Sequence, residues 1–516
     1  MKQVDLLNTV MENYNNELVL KFLEKYDWIY NFQLIKFFLD RVWENIPREW
    51  CEVLLSLSIE DLNRLPYGDM RDEWPASLKE FIRTALTLSL PRSPRKGTIP
   101  LGIDPEMRRG MTPKKQHEVS LMSSVVHDVA QRADCEVILD IGSGLGYLGQ
   151  LLQKHFGYHI IGLESKQGHT SGAERRARHT TELDKLSLKQ PQQFLGVCNS
   201  CQKSRCVEGQ TDVLKHPPDF SSDVMVPDSK PQLERPVTLT LPRALMIGLH
   251  CCGDLTPTMM EYFQSLDFVR GLCCVSCCYH RMEVKAGNET PYNFPLSATT
   301  CKIYNKLRGD NPKWSIGTFA LRLAAQETRA RWGKQTAEDH DYHTKNVGYR
   351  GILELYKHTS KSSRGTEGFS SSINIPVSFL KVQSDVVQRD CLALGILELY
   401  KHTKSKNCEK AARRIARKSD FSSFTAYVEA ASCRLEAEEG TGIDRAELFR
   451  LYEENKDKMR FIEPLTALQY LLQPVLEGLI TTDRAQYLKE HGITTEIIPI
   501  FDEVISPRNL ALISVK

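Results

Sequence analysis

Two rhythms of apolar and polar positions divide this chain. The runs at 137–139, 159–163, 244–250 and 271–277 are short and almost uniformly apolar. They read as strands buried on both faces of a parallel sheet. Gly142, Gly144 and Gly146 follow the first run, and Leu148, Leu151, Leu152 and Phe156 then recur at helical spacing. The sequence of strand, glycine turn and helix makes one α/β unit. Two late runs, 494–501 and 509–515, are joined by residues 502–508 and predict an antiparallel hairpin that finishes the sheet.

The helical rhythm occupies the rest. Leu18, Leu20, Phe22, Trp28, Phe32, Trp43, Trp50 and Leu54 give residues 1–90 broad apolar faces, expected to pack as a helical domain over one flank of the sheet. Residues 91–104 read as a linker, with three prolines between 91 and 100. Residues 111–133 predict a helix with Thr112 as N-cap and Pro113 at its first position. Residues 464–491 predict an amphipathic helix or pair. The expected organisation is therefore a helical domain (1–90), a linker (91–104) and an α/β core (105–300) holding a flexible polar insertion at 166–236. A helical and partly disordered insertion (301–460) and a terminal helix with two strands (461–516) complete it. The expected fold class is α/β, a Rossmann-like sheet whose terminal antiparallel hairpin is typical of the methyltransferase variant of the doubly wound fold.

Composition narrows this picture only a little. Hydrophobic residues make up 41% and charged residues 26%, with a formal net charge of +2, so no global field draws the chain to nucleic acid or to acidic lipid, and there is no DNA signal. No apolar run reaches the length of a membrane span. The first residues lack the apolar core of a signal peptide, and an intracellular chain, cytoplasmic or nuclear, is expected. Its fifteen cysteines are then expected mostly as reduced thiols or metal ligands rather than disulfides. Cys198, Cys201 and Cys206, with His216 as a conceivable fourth ligand, lack the two tidy pairs of a structural zinc site. One nonapeptide occurs twice, at 351–359 and 395–403. A duplicated helix is one account; a duplicated exon or an error in the assembled sequence is the other. The basic stretch Lys404, Lys406, Lys410, Arg413, Arg414, Arg417 and Lys418 is expected as a solvated helical face rather than an RNA contact.

The chemistry gathers at the strand ends. Gly144, Gly146 and Gly149 match a dinucleotide fingerprint, but Asp140 stands two residues before the first glycine of the turn. An acid there repels a pyrophosphate and favours the amino group and sulfonium of S-adenosylmethionine. Glu164, ending the second run, is placed for the ribose hydroxyls. Ligands of open α/β sheets bind beyond the carboxyl ends of the strands. Asp140, Gly142, Gly144, Gly146, Glu164 and His250 are therefore expected on the cofactor. Asp254, Tyr279 and His280 are expected on the acceptor side, His280 as the proton acceptor and Tyr279 stacking on a planar group. Lys114, Lys115 and His117 crowd a helix N-terminus, where cations oppose the macrodipole. They face either a substrate or cofactor carboxylate, or solvent. Cys273 and Cys274 read as small core residues. Cys277, Cys278 and His280 stand near the mouth, where a metal can bind, but no metal site is assigned.

The blocks 111–119, 140–146, 248–256, 277–280 and 506–510 together resemble the methyltransferase-like protein 25 family, in scattered segments covering most of the chain. The resemblance implies a Rossmann-like, S-adenosylmethionine-dependent methyltransferase with an unassigned acceptor, RNA or protein. Amino-directed base methylases typically carry Asn/Asp-Pro-Pro-Phe/Tyr where this chain has His250-Cys251-Cys252-Gly253-Asp254, so the motif for adenine N6 chemistry is missing. The rival reading is a catalytically inactive methyltransferase fold used as a binding or scaffold module. The sequence does not fix the oligomeric state.

Overall fold

The computed structural model describes residues 14–95, 97–185, 242–284, 290–362, 421–430 and 444–516. Six strands form one sheet: β1 (Val137–Ile141), β2 (His159–Leu163), β3 (Ala244–Cys252), β4 (Val269–Cys277), β5 (Thr495–Pro499) and β6 (Leu510–Val515). Their order is β2-β1-β3-β4-β6-β5. The first four are parallel, whereas β6 runs antiparallel to both β4 and β5. The sheet is the Rossmann-like α/β sheet expected of a methyltransferase, with its terminal hairpin in place.

Side-chain alternation builds the two faces. Ile138, Leu245, Ile247, Cys273 and Val275 join the core under helices Pro113–Arg132 and Tyr147–Phe156. Val137, Leu139, Met246, Leu272 and Cys274 join the opposite core with Met259 and Phe263 from helix Leu255–Ser265. Thr112 caps the first of these helices, its hydroxyl accepting from the Lys115 N–H at 3.2 Å.

Three features depart from the sequence reading. The helical segments on either side of the core do not form separate units: Trp50, Phe81, Trp314, Trp332, Leu468 and Leu476 share one apolar cluster. Its axis is a single helix, Ile462–Glu490, buried on nearly every side rather than amphipathic, because N-terminal helices cover one flank and the sheet the other. The linker is a strap. Arg92 is buried, and the Arg95 N–H donates to the Pro499 carbonyl. Finally, the polar segment after Glu164 begins with a regular helix, Gln167–Lys185. It is anchored by Arg176 over the Tyr147 ring at 4.1 Å and by Gln150 donating to the Ala173 carbonyl. Cys198, Cys201, Cys206, His216, the second nonapeptide copy and the basic stretch from Lys404 to Lys418 lie outside the described residues. The first copy lies within helix Ala337–Ser362.

Candidate functional site

The strand order switches from one side of β1 to the other between β2 and β3, and the crevice opens at that switch point, between β1 and β3. The loop after β1 is a run of tight turns in which Gly142, Gly144 and Gly146 all take positive φ, at 74°, 60° and 73°. Only glycine holds that conformation without strain. The Gly142 and Ser143 N–H groups donate to the Leu163 carbonyl, locking the loop onto the end of β2. Gly144 borders open space: a Cβ built there would meet nothing closer than the Gly142 carbonyl oxygen at 4.0 Å. Space for a ligand begins at this backbone.

Two carboxylates flank the turn. The Gly144 N–H donates to Glu164 Oε2 at 3.0 Å and the Lys166 N–H to Oε1 at 2.8 Å. Each oxygen has one longer second contact, Ser165 Oγ donating to Oε1 and His169 Nδ1 lying near Oε2, both at 3.4 Å, which a ligand hydroxyl can replace. Asp140 lies beneath the turn and is buried. Burial pushes its carboxyl up to about 7, with Lys115 opposing and Glu164 adding to the rise. A buried acid poised in this way gains most from a cation beside it. Both acids and the turn thus fit a ligand with a positive head and a ribose.

The side of the crevice next to β3 centres on a residue that the sequence reading does not single out. Glu118, one helical turn beyond Lys114, is 1% exposed. It accepts from Ser506 Oγ at 2.7 Å and lies 2.8 Å from His250 Nε2, while Lys114 and Lys115 approach it at 3.7 and 3.6 Å. Burial works to raise its carboxyl, but the hydrogen bond and charge of His250, the Ser506 hydroxyl and Lys115 outweigh this and hold it down to about 2. The lysines at the helix N-terminus therefore have a local partner. His250 itself sits at φ 66°, one of four non-glycine residues with positive φ among the described residues. Such conformations cluster at functional sites. His117 faces elsewhere: its Nε2 accepts from the Asp502 N–H at 3.0 Å, which ties the helix to the β5–β6 loop, and burial holds its imidazole below the usual range.

The expected acceptor residues divide. Tyr279 is 1% exposed and its hydroxyl donates to Glu477 Oε1 at 3.0 Å, with the Arg484 guanidinium 5.4 Å from the ring centre. It belongs to the helical core and cannot stack on an acceptor. The cause is local, since Cys278 takes φ 41° and turns the chain after β4 inward. Asp254 is also occupied: Oδ2 accepts the Glu283 N–H at 2.8 Å and Oδ1 the Asn293 side-chain amide at 2.9 Å. It fixes the loop that follows β4. Gly253 lets that loop close in, as a Cβ there would stand 2.8 Å from the Arg281 carbonyl oxygen. His280, in the turn Tyr279–Arg281, is half-buried beside this loop. Cys252, Cys277 and Cys278 converge at the strand ends, all three sulfurs lying within 4.8 Å of one another.

Residues 114–285, which include the glycine turn, Glu118 and both strand ends, match the model of a family described as a methyltransferase domain. The chain carries a methyltransferase domain. It is similar to proteins named probable methyltransferase-like protein 25. The one from Homo sapiens is 23% identical over 514 residues, covering 79% of this chain and 75% of that protein. The one from Mus musculus is 24% identical over 508 residues with the same coverage. No solved structure matches. Around the methyltransferase domain, no helix among the described residues is long and apolar enough to cross a membrane.

Proposed function

We propose that this methyltransferase uses S-adenosylmethionine as methyl donor and acts on RNA or protein. The motif pattern points to the B member of the methyltransferase-like protein 25 family, also called ribosomal RNA adenine dimethylase domain-containing protein 1. The observation that carries the donor is the glycine turn between two acids, one buried and one bound to the turn. When present, S-adenosylmethionine supplies a methyl group already activated by its sulfonium. The protein has to hold both partners in line, exclude water and take a proton. Glu164 accepts the ribose hydroxyls, Gly142, Gly144 and Gly146 leave room for the ligand against the backbone, and Asp140 faces its positive head.

The charge on Asp140 sets a pH dependence. Below about 7 the buried carboxyl is protonated and neutral, and a cationic donor must displace that proton to gain the ion pair. Binding then releases a proton, so affinity rises as pH rises toward neutrality and weakens by up to about tenfold per unit below it. Calorimetry between about pH 5.5 and 8 reads this slope, and Asp140→Asn flattens it. A wild-type affinity flat across that range, or tight NAD binding with none of S-adenosylmethionine, would sink the assignment.

On this reading His250, oriented by Glu118, takes the acceptor proton, a role the sequence reading gave to His280. Lys114 and Lys115 steer an anionic acceptor toward it. His250→Ala is expected to reduce methyl transfer about 10²-fold with donor affinity nearly intact, the usual scale for lost acid–base help. Glu118→Gln is expected to shift the pH profile of transfer as well as its rate, because Glu118 acts through the imidazole. Equal loss of donor affinity, melting temperature and rate in His250→Ala would instead make the residue structural.

A further inference from the structure

Nine cysteines fall among the described residues, and most are explained by packing. Cys251, Cys273 and Cys274 are 1%, 0% and 0% exposed and fill the sheet core. Cys252, Cys277 and Cys278 are different. They lie at the carboxyl ends of β3 and β4, and Cys252 and Cys278 are half-exposed. Cys252 and Cys277 are direct register partners on adjacent parallel strands, with sulfurs 3.1 Å apart. Cys278 would point to the opposite face if β4 continued, since successive strand residues alternate. Its left-handed backbone, φ 41° and ψ 46°, breaks that alternation, and its sulfur joins the other two. A non-glycine residue in that region costs of order 1–3 kcal/mol and persists only where its surroundings hold it there. Here the strained residue is the one that completes the cluster.

We propose that Cys252, Cys277 and Cys278 form a zinc site of three thiolates with an open fourth position. Zinc–sulfur bonds of about 2.3 Å in tetrahedral geometry put the sulfurs about 3.8 Å apart, inside the 4.8 Å within which all three already lie. Soft thiolates select zinc or copper(I) over hard cations such as magnesium or calcium. The Arg281 guanidinium adds positive charge beside Cys252 and Cys278. Binding exchanges thiol protons for the ion and involves no electron transfer. The ion clamps the end of β3 to the end of β4, between His250 on one side and the Asp254 loop on the other. The inference does not depend on the donor being S-adenosylmethionine.

The test uses the full chain, stripped with chelator under reductant and titrated with zinc and with cobalt(II) as a spectroscopic probe. The expected result is one zinc and a thiolate-to-cobalt charge-transfer band, both retained in Cys198→Ser with Cys201→Ser and both lost in Cys278→Ser. Cys278 is half-exposed, so this substitution spares the core; circular dichroism checks the fold. Alkylation mapping on the unmutated chain gives an independent reading, since zinc should protect Cys252 and Cys278 together. Failure of the chain to bind zinc overturns the site. So does zinc that is retained in Cys278→Ser or lost in Cys198→Ser with Cys201→Ser, or zinc that leaves alkylation of Cys252 and Cys278 unchanged. Recovery of a Cys252–Cys277 disulfide as the stable form under the same reductant also overturns it.

Discussion

Replacing Glu477 by alanine is expected to destabilise the fold by ~3–5 kcal/mol, the range for removing one partner of a buried ion pair. Glu477 lies in the middle of helix Ile462–Glu490 and is 1% exposed. Its carboxylate pairs with Arg92 from the strap and with Arg508 from the β5–β6 loop at 2.9 Å. It also accepts from the Tyr279 hydroxyl and from Gln473 Nε2, each at 3.0 Å. Three distant segments, the strap, the end of β4 and the terminal hairpin, are thus joined to the central helix at one point. Alanine leaves two guanidiniums buried without their counter-ion. Arg508 keeps the Gln326 carbonyl and Arg92 keeps Asn509 Oδ1, so the loss stays within that range rather than beyond it. Although burial opposes it, the charges of Arg508 and Arg92 hold the Glu477 carboxyl below its ordinary value. Its contribution is therefore complete above the unfolded carboxylate range and is lost as pH falls through the folded value. Denaturant midpoints at neutral pH measure the effect. A shift worth less than about 1 kcal/mol would mean that the two arginines are satisfied without the acid.

Gly144→Val is expected to abolish donor binding while leaving a folded protein. Gly144 is at φ 60°, where a side chain costs about 1–2 kcal/mol and a β-branched one more. The added atoms would enter the space in front of the turn, because the nearest obstacle to a Cβ is 4.0 Å away. The loop would also have to give up the hydrogen bond that sets Glu164 against the turn. Stability falls modestly, and affinity falls beyond detection. Equilibrium dialysis with labelled S-adenosylmethionine separates the two effects. Undiminished binding in a folded Gly144→Val protein would move the donor away from this turn.

What the sequence shows plainly is local. The short apolar run at 137–139, the three glycines, the Thr112–Pro113 helix start and the terminal hairpin each depend on a few neighbouring residues, and each stands where the pattern puts it. What it hides is long-range. Tyr279 and His280 look alike as polar residues after a strand, yet the left-handed Cys278 sends the tyrosine into the helical core. Glu118 shares a helix face with Lys114, an (i,i+4) relation visible in the sequence, but its partners His250 and Ser506 are 132 and 388 residues away. Arg92 reads as part of a linker because prolines surround it, and only the fold brings it to Glu477. Cys252 passes for one of several core cysteines until its register with Cys277 is known.

The central claim is methyl transfer from S-adenosylmethionine, as opposed to a methyltransferase fold that only binds. The most direct measurement incubates the purified chain with donor labelled in its methyl group and with cell extract, then separates RNA, protein and small molecules. The account predicts label in the RNA or the protein fraction, absent with Gly144→Val and reduced about 10²-fold with His250→Ala. Tight donor binding with no label above the Gly144→Val background in any fraction would contradict it and leave a binding module.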